Sequence, residues 1–352
     1  MASVAQPNIG SARQELYRRM DKDNLAPLWE VLHDLIPSEP VTPAKPALWK
    51  YCDARPYLME AGKLISAKEA IRRVLILENP GMRGEACITQ SLYAGLQLIL
   101  PGEIAPSHRH SQSALRFIVE GAGAYTAVDG ERTTMRPGDF IITPSWTWHD
   151  HGNPGKDPVV WMDGLDIRIV QTFAAQFHEV YPEEVQPVSR SEGASVARFG
   201  QGLIPLGAAA PFGKTSPIFN YPYERSRESL AKLARDQEAD PCHGWKMQFI
   251  NPLSGGHAMP TIAAFIQLLP TGFQTRPYRC TDGTVFSVVE GTGSATIGKE
   301  KYDFEPRDTF VVPSWTPLVI EAKDETVLFS FSDRPGQEAM GLWREKREEK
   351  RG

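Results

Sequence analysis

The chain has 352 residues, of which 41% are hydrophobic and 23% are charged, and its formal net charge is −5 at pH 7. These values are typical of a soluble globular protein with enough residues for two domains. The slightly acidic balance gives no reason to expect a nucleic-acid partner, and no run of about 18 apolar residues indicates a membrane span.

The four cysteines, Cys52, Cys87, Cys242 and Cys280, are far apart and form no C-x-x-C pair. This spacing favours neither a disulfide framework nor a zinc knuckle, so we expect reduced thiols. A secretory signal begins with a basic stretch followed by an apolar run, and the first residues of this chain do not show that pattern. A cytoplasmic protein without membrane attachment is therefore expected.

Residues 1–72 are predicted to form a helical and extended arm. Apolar residues recur at three- and four-residue spacing through residues 12–36, and Pro27 is placed to open a second helix. The prolines between residues 40 and 56 predict an extended linker. Ser66 is placed to cap a short helix that follows.

Residues 73–175 are predicted to form a first β domain. They consist of short β-rich runs separated by Gly, Pro and Asp, a pattern that predicts a sandwich or barrel. Asp129-Gly130 is a strong hairpin signal between two of the runs. The expected strands begin at Tyr93, Leu115, Ala124, Phe140, Val159 and Leu165.

Three further segments complete the predicted organisation. Residues 176–250 lose the strand pattern and are predicted to connect two domains, with one good helix beginning at Glu224. Residues 251–335 return to short β-rich runs and are predicted to form a second domain. Residues 336–352 are predicted to be a charged C-terminal tail, in which the mixed charges from Leu342 to Arg351 predict a solvated helix.

The two β-rich domains are predicted to be an internal duplication. The interval from Gly102 to Gly121 equals the interval from Gly272 to Gly291. The tetrapeptide Pro-Ser-Trp-Thr also occurs once in each domain, beginning at Pro144 and at Pro313. Matching glycines at matching spacing indicate two copies of one unit, and hence two β-barrels.

Four of the eight histidines lie in two short clusters of the first repeat, His108 and His110 in one and His149 and His151 in the other. On a strand, residues i and i+2 project to the same face, so His108 and His110 can both point into a barrel. An adjacent strand could bring His149 beside them and form a metal site. The alternative is a histidine-rich surface loop.

These clusters resemble the two motifs of the cupin family. The first motif is Gly102-x5-His108-x-His110, and the second is Gly138-x5-Pro144-x4-His149-x3-Asn153. Many cupins carry a metal-binding glutamate where this chain has Ala114, so the site is expected to hold three histidines and no carboxylate. The matching positions of the second repeat are Tyr278, Cys280 and Leu318. No metal is expected there, and the second barrel is predicted to serve packing and assembly.

The run from Tyr93 to Gly121, the sequence Pro-Ser-Trp-Thr-Trp-His-Asp-His-Gly-Asn and the degenerate second repeat together resemble the gentisate 1,2-dioxygenase family. The family includes ring-cleaving enzymes that act on salicylate and 1-hydroxy-2-naphthoate. The resemblance implies an all-β bicupin core with N-terminal helices and a helical connection between the barrels. It also implies one Fe(II) per subunit and a homotetramer.

The resemblance implies a role for individual residues of the first barrel. His108, His110 and His149 would hold the iron. Arg116 and Arg72 would face the substrate carboxylate, although the neighbouring Arg73 is an alternative to Arg72 and a structural salt bridge is an alternative role for Arg116. The remaining predicted site residues are His151 and Gln97 for the polar groups of the substrate, Asp163 to orient His151, and Tyr93 and Gly95 beside the ring.

The expected reaction is the opening of gentisate by O2 between the carboxylate-bearing carbon and the adjacent hydroxyl-bearing carbon, which gives maleylpyruvate. The same chemistry on salicylate or 1-hydroxy-2-naphthoate is an alternative. Three histidines also occur in hydrolytic zinc sites, so a zinc enzyme is a rival interpretation. A bicupin that binds a small anion without catalysis is another.

Overall fold

The structure, a computed structural model, describes residues 9–207 and 213–348. The described residues fall into two compact units, one ending at Val41 and the other beginning at Thr42. The first unit contains helices α1 (Ile9–Lys22) and α2 (Leu28–Leu35). Pro27 is the N-cap residue of α2, as the sequence predicted. Within the described residues, no helix is both long and apolar enough to cross a membrane.

The second unit begins with elements that the sequence analysis missed. The predicted extended linker is wrong, because strand β1 (Ala47–Trp49) and helix α3 (Tyr51–Leu64) occupy most of it. Pro56 lies inside α3, where it removes one backbone hydrogen bond. Burial of the Tyr51 and Leu58 side chains offsets that loss. Ser66 does cap the short helix α4 (Ala67–Ala70), since its hydroxyl accepts the Glu69 N–H at 3.2 Å.

The first barrel follows the predicted strands closely. Its strands along the chain are β2 (Val74–Ile76), β3 (Tyr93–Ile99), β4 (Ile104–His110), β5 (Ala114–Glu120), β6 (Tyr125–Val128), β7 (Glu131–Thr134), β8 (Phe140–Thr143), β9 (His149–Gly152) and β10 (Val159–Leu165). The β6–β7 hairpin turns at Asp129-Gly130, where both residues have positive φ, as a type I′ turn requires. The strand predicted from Leu165 is wrong, because β10 ends at that residue and helix α5 (Ile167–Thr172) follows.

The connecting segment contributes to both barrels. Its elements are β11 (His178–Val180), α6 (Ala194–Phe199), β12 (Asn220–Tyr221), α7 (Tyr223–Asp236) and β13 (Trp245–Gln248). Strands β11 and β12 pair with strands of the first barrel, whereas β13 pairs with the second barrel. Helix α7 confirms the helix predicted from Glu224. Strands from outside the predicted range 251–335 therefore complete the second barrel.

The second barrel repeats the topology of the first. Its remaining elements are β14 (Ala263–Leu269), β15 (Tyr278–Cys280), β16 (Thr284–Glu290), β17 (Gly293–Ile297), β18 (Glu300–Phe304), β19 (Thr309–Val312), β20 (Leu318–Ala322), β21 (Thr326–Ser332), α8 (Arg334–Ala339) and β22 (Glu345–Arg347). The sheet order β8-β5-β10-β3-β2 is repeated as β19-β16-β21-β14-β13, and β4-β9-β6-β7 as β15-β20-β17-β18. This correspondence confirms the predicted duplication and all-β core.

A shared apolar core joins the six-stranded sheets of the two barrels. Phe117 of the first barrel stacks on Phe329 of the second with ring centres 4.1 Å apart, and Phe140 lies 5.5 Å from Phe329. All three rings are almost fully buried, and each buried ring stabilises the fold by roughly 1.5–3 kcal/mol. A Cβ on Gly164 would come within 2.8 Å of the Phe331 ring, so the barrels approach closely here.

The predicted solvated helix at the C-terminal end is wrong over the part that the structure describes. Strand β22 pairs with β15, with Glu345 opposite Cys280. The Trp343 indole donates to the Asp282 carboxylate at 2.7 Å and anchors the segment. A strand forms here because β15 offers an unpaired edge, which no local pattern in a charged sequence reveals. Residues 349–352 lie outside the described residues.

Candidate metal centre

Three histidines meet inside the first barrel. His108 and His110 lie on β4, and His149 lies on β9 directly opposite His108. The ring centres are 4.2 Å apart for His108 and His149, 4.8 Å for His110 and His149, and 5.3 Å for His108 and His110. One nitrogen of each ring lies within 4.8 Å of the others, a spacing that could hold a metal ion.

Hydrogen bonds orient each ring toward this common point. The Nδ1 atoms of His108, His110 and His149 lie 3.2, 2.9 and 2.9 Å from the carbonyl oxygen of a residue two positions away. A carbonyl can only accept, so at His110 and His149 Nδ1 carries the proton and Nε2 is left as a bare donor atom for a metal. The Pro106 carbonyl favours the same tautomer at His108. The His149 Nε2 is buried and has no hydrogen-bond partner. A divalent metal ion fits this donor set.

Burial keeps these imidazoles neutral. It lowers the pKa of His108 to about 2, with a further contribution from the charge of Arg72, and it lowers the pKa of His110 to about 4. The pKa of His149 is also well below its usual value for the same reason. Neutral imidazole is the form that binds metals, so the ligands need no deprotonation at neutral pH.

A tight turn fixes the strand that carries two of the ligands. The Trp146 N–H donates to the His110 carbonyl at 2.8 Å, and Trp146 has a φ of 61°. In the second barrel Trp315 has a φ of 58° and donates to the Cys280 carbonyl at 2.6 Å. The repeated Pro-Ser-Trp sequence therefore holds the same strand in both barrels, with or without a ligand on it.

Arg116 is buried in the barrel wall. Its Nε lies 3.5 Å from the Asp163 carboxylate and has no hydrogen-bond partner, while Nη1 donates to the Thr143 hydroxyl. The positive charge lowers the pKa of all three candidate metal ligands, which places it near them. Arg116 does not share a strand with His110, because a turn separates β4 from β5. The side chain nevertheless reaches the interior.

The two neighbouring arginines have different partners. Arg73 forms a two-pronged ion pair with Glu103 at 2.7 and 2.9 Å and is therefore structural. Arg72 donates to the Pro106 carbonyl at 2.8 Å, and its Nη2 lies 2.6 Å from His108 Nδ1. Burial and the charge of Arg116 lower the pKa of Arg72 to about 10, so it remains a cation.

The Arg72 contact competes with the orientation that a metal needs. A guanidinium can only donate, so a hydrogen bond to His108 Nδ1 would move the imidazole proton to Nε2, the atom available to a metal. The carbonyl of Pro106 favours the opposite tautomer. With a metal at the site, Arg72 is therefore free to turn from His108 toward another acceptor.

His151 follows His149 on β9 and is fully buried. Its Nδ1 is hydrogen-bonded to the Thr126 hydroxyl at 3.0 Å, and its Nε2 is buried without a partner. Asp163 accepts from the Trp161 indole at 2.9 Å and lies beside Arg116. Among the described residues Asp163 thus positions Arg116, whereas Thr126 takes the orienting role that we predicted for Asp163. Burial raises the pKa of Asp163 to about 6 and Arg116 opposes this shift.

Strand β3 brings three predicted residues to the same wall. Gln97 is buried and lies opposite Val74 and Trp161 in the sheet. A Cβ on Gly95 would lie 2.5 Å from Val74 Cγ1 and 2.9 Å from the Tyr93 hydroxyl, so only glycine fits between them. Burial raises the pKa of Tyr93, which keeps its phenol protonated.

Sequence reasoning missed several residues of this region. Thr126 lies opposite His151 in the β6–β9 pair, and Thr143 accepts from Arg116. His178 of β11 lies opposite His110, with its ring centre 5.5 Å from that of His108. The first two are visible only once the strand register is known. His178 lies in a segment without a strand pattern, so the sequence carried no signal for it.

The second barrel has no equivalent group. Tyr278 lies opposite Leu318, as His108 lies opposite His149. Burial raises the pKa of the Cys280 thiol well above its usual value, so it stays protonated. Within residues 9–207 and 213–348, the three histidines of the first barrel form the one cluster found that could hold a metal.

This chain is similar to known proteins over nearly its whole length. A family model for the cupin domain matches residues 95–167. Gentisate 1,2-dioxygenase 1 of Aquipseudomonas alcaligenes is 56% identical over 99% of this chain and 100% of its own length. The 1-hydroxy-2-naphthoate 1,2-dioxygenase of Nocardioides sp. strain KP7 is 35% identical over 86% of this chain and 79% of its own. The crystal structure of salicylate 1,2-dioxygenase from Pseudoaminobacter salicylatoxidans with gentisate superposes with a TM-score of 0.91 at 35% identity, covering 99% of this chain and 97% of that one.

Proposed function

The chain belongs to the gentisate 1,2-dioxygenase family, and we propose that it opens the ring of gentisate with O2 to give maleylpyruvate. The observation that carries this proposal is the buried group of three neutral histidines with two arginine cations beside it. Three neutral ligands leave a divalent ion with its full charge, which favours an anionic chelating substrate. We assign Fe(II), one per subunit, to His108, His110 and His149. When bound, it would supply a Lewis-acidic and redox-active centre for the substrate and O2.

The two arginines are proposed to bind the substrate carboxylate. Arg116 is preorganised by Asp163 and Thr143 and keeps one N–H without a partner. Arg72 can leave His108 and donate to a carboxylate in the same space. Two charge-assisted hydrogen bonds in a buried site orient the ring as well as bind it.

His151 is proposed to move the proton of the substrate hydroxyl. Burial and the charges of Arg116 and Arg72 keep the pKa of this imidazole well below its usual value, so it enters the reaction neutral. Its partnerless Nε2 can accept a proton, while the hydroxyl of Thr126 holds Nδ1. Gln97 and Tyr93 are proposed to meet the polar groups of the ring, and Gly95 is proposed to lie beside the ring, where it lets Val74 and the Tyr93 hydroxyl approach closely.

The test is oxygen uptake by protein purified without oxygen and supplied with single metals. Fe(II) should restore uptake with gentisate, and both atoms of isotopically labelled O2 should enter the product. Turnover that needs zinc as the only metal and takes up no oxygen would support a hydrolytic enzyme. Tight gentisate binding to the iron-loaded protein without uptake would support an anion-binding bicupin.

Salicylate and 1-hydroxy-2-naphthoate are the alternative substrates. The relatives named above include dioxygenases for both. Gentisate is preferred because its second hydroxyl makes the ring richer in electrons. Comparing kcat/KM for the three acids by oxygen consumption decides between them, and a higher value for salicylate would reassign the substrate.

A homotetramer in the cytoplasm is also proposed. Helix α2 exposes large apolar side chains, and such surfaces are typical of assembly contacts. These are Leu28, Trp29, Val31, Leu32 and Leu35. Light scattering coupled to size-exclusion chromatography measures the mass directly, and a monomer at micromolar concentration would contradict the proposal.

A further inference from the structure

The interior of the second barrel contains a small cavity with an unusual set of charges. It is lined by Lys246, Phe265, Tyr278, Cys280, Asp282 and Arg334, among others. The centre of a water-sized sphere can move through a volume of about 20 Å³ inside this cavity. One such sphere needs on the order of 10–15 Å³, so the cavity admits one or two non-hydrogen atoms.

Lys246 brings a positive charge into this barrel. It lies on β13 opposite Gln267, at the position that Val74 takes opposite Gln97 in the first barrel. Its ammonium nitrogen lies 4.7 Å from the centre of the Phe265 ring, and within the described part of the chain no carboxylate forms an ion pair with it. Burial lowers the pKa of Lys246 to about 8, so the amine is still mainly protonated at pH 7.

Arg334 brings a second cation to the same ring. Its guanidinium carbon lies 5.2 Å from the Phe265 ring centre. Its Nε is buried without a hydrogen bond, although the Asp282 carboxylate lies 3.5 Å away. Both cations therefore flank one aromatic side chain. A ring face attracts cations but carries no net charge, so it cannot neutralise them.

The neighbouring acidic groups are already engaged. Asp282 lies beside Arg334 and accepts from the Trp343 indole at 2.7 Å. Glu345 accepts from the Tyr278 hydroxyl at 2.9 Å and lies 3.7 Å from Arg347. Burial raises the pKa of both Tyr278 and Cys280, so neither supplies a negative charge. Asp282 and Glu345 raise the pKa of Lys246 from a distance, but within the described residues neither forms an ion pair with it.

We propose that the second barrel binds one small monovalent anion of about the size of chloride, held by Lys246 and Arg334. A largely buried ammonium that forms no ion pair is costly, and a bound anion lowers that cost. The cavity volume excludes an aromatic acid, so this site differs from the substrate site in ligand as well as in position. The barrel that lost its metal ligands would thus keep a binding role.

Bromide tests the proposal because it replaces chloride and scatters X-rays anomalously. Crystals of the full chain soaked in sodium bromide should show an anomalous peak inside the second barrel beside Lys246. Lys246→Met should abolish that peak, whereas Lys299→Met, at an exposed position, should leave it. A wild-type crystal with bromide only on the surface would overturn the proposal.

Thermal unfolding gives an independent readout that does not depend on crystals. At constant ionic strength, replacing gluconate by bromide at about ten times the dissociation constant should raise the Tm by roughly 2 °C. The rise should be absent in Lys246→Met and retained in Lys299→Met. An equal rise in all three proteins would mean a general salt effect and would also overturn the proposal.

Discussion

The contribution of Arg116 to substrate binding can be separated from its contribution to the fold by a double-mutant cycle with Asp163. The two side chains are buried and lie 3.5 Å apart. Arg116→Met leaves the carboxylate buried without its cation, and breaking such a pair typically costs about 3–5 kcal/mol of unfolding free energy. Because the pKa of Asp163 is already raised to about 6, the carboxylate can take up a proton. We therefore expect a cost near 3 kcal/mol.

The catalytic effect has a different size and a different origin. A hydrogen bond from Arg116 to the substrate carboxylate contributes about 1.5–3 kcal/mol, so its loss should lower kcat/KM by roughly 10- to 150-fold. Adding Asp163→Asn removes the unpaired carboxylate and should recover most of the stability. It should not recover kcat/KM, because the cation is still missing.

Urea unfolding measures the first quantity, and oxygen uptake with gentisate measures the second. Asp163→Asn alone is the matched control, since it keeps Arg116 while removing the ion pair. A double variant with the same kcat/KM as this control would refute the reasoning. Arg116 would then matter only as the partner of Asp163.

Three further predictions concern the metal, the ring pocket and pH. His110→Ala should lose bound metal and activity, whereas Cys280→Ser at the matching position should keep the metal content of the wild type in elemental analysis; equal losses would contradict the one-metal model. Gly95→Ala should raise the KM for gentisate about tenfold, since the new methyl would lie 2.5 Å from Val74. Adding Val74→Ala should reverse part of that rise in KM. A KM unchanged by Gly95→Ala would mean that the gap beside Gly95 does not border the substrate. Burial raises the pKa of Asp333 from 3.8 to about 6, so the folded state holds this proton up to a higher pH than the unfolded state does. The protonated carboxyl therefore contributes up to about 3 kcal/mol to the unfolding free energy. This contribution is full below pH 4 and is lost as the pH rises to 6. Asp333→Asn should flatten that part of the profile in urea unfolding between pH 4 and 7, and an unchanged slope would assign it to other groups.

Both barrels could be predicted because each strand and turn has a recognisable pattern in its own local sequence. Alternation of side chains marks each strand, and Asp129-Gly130 demands a specific turn. The glycines and Pro-Ser-Trp turns repeat at fixed intervals, so the duplication could be recognised from the sequence alone. The three histidines followed from the period of two along β4 and from the spacing of the second cluster.

What could not be predicted depends on contacts between distant residues. Strand β22 exists because it completes the edge of β15, and its own charged sequence gives no sign of this. Arg72 and Arg73 are adjacent, and only the position of Glu103 identifies which of them is structural. Thr126 meets His151 through a register that is fixed elsewhere in the sheet.

Strand β1 has a consequence for the order in which the protein folds. It lies near the start of the second unit, yet it pairs with β19, placing Leu48 opposite Phe310. During synthesis the six-stranded sheet of the first barrel has all its strands once Tyr221 has emerged. The second sheet must wait until β21 is made, and β1 keeps an unpaired edge for most of that time. Late, long-range pairing slows folding and exposes strand edges to aggregation. A chain that stalls during translation is therefore expected to leave a first barrel that has all the strands of its six-stranded sheet but lacks the apolar partner face of the second barrel.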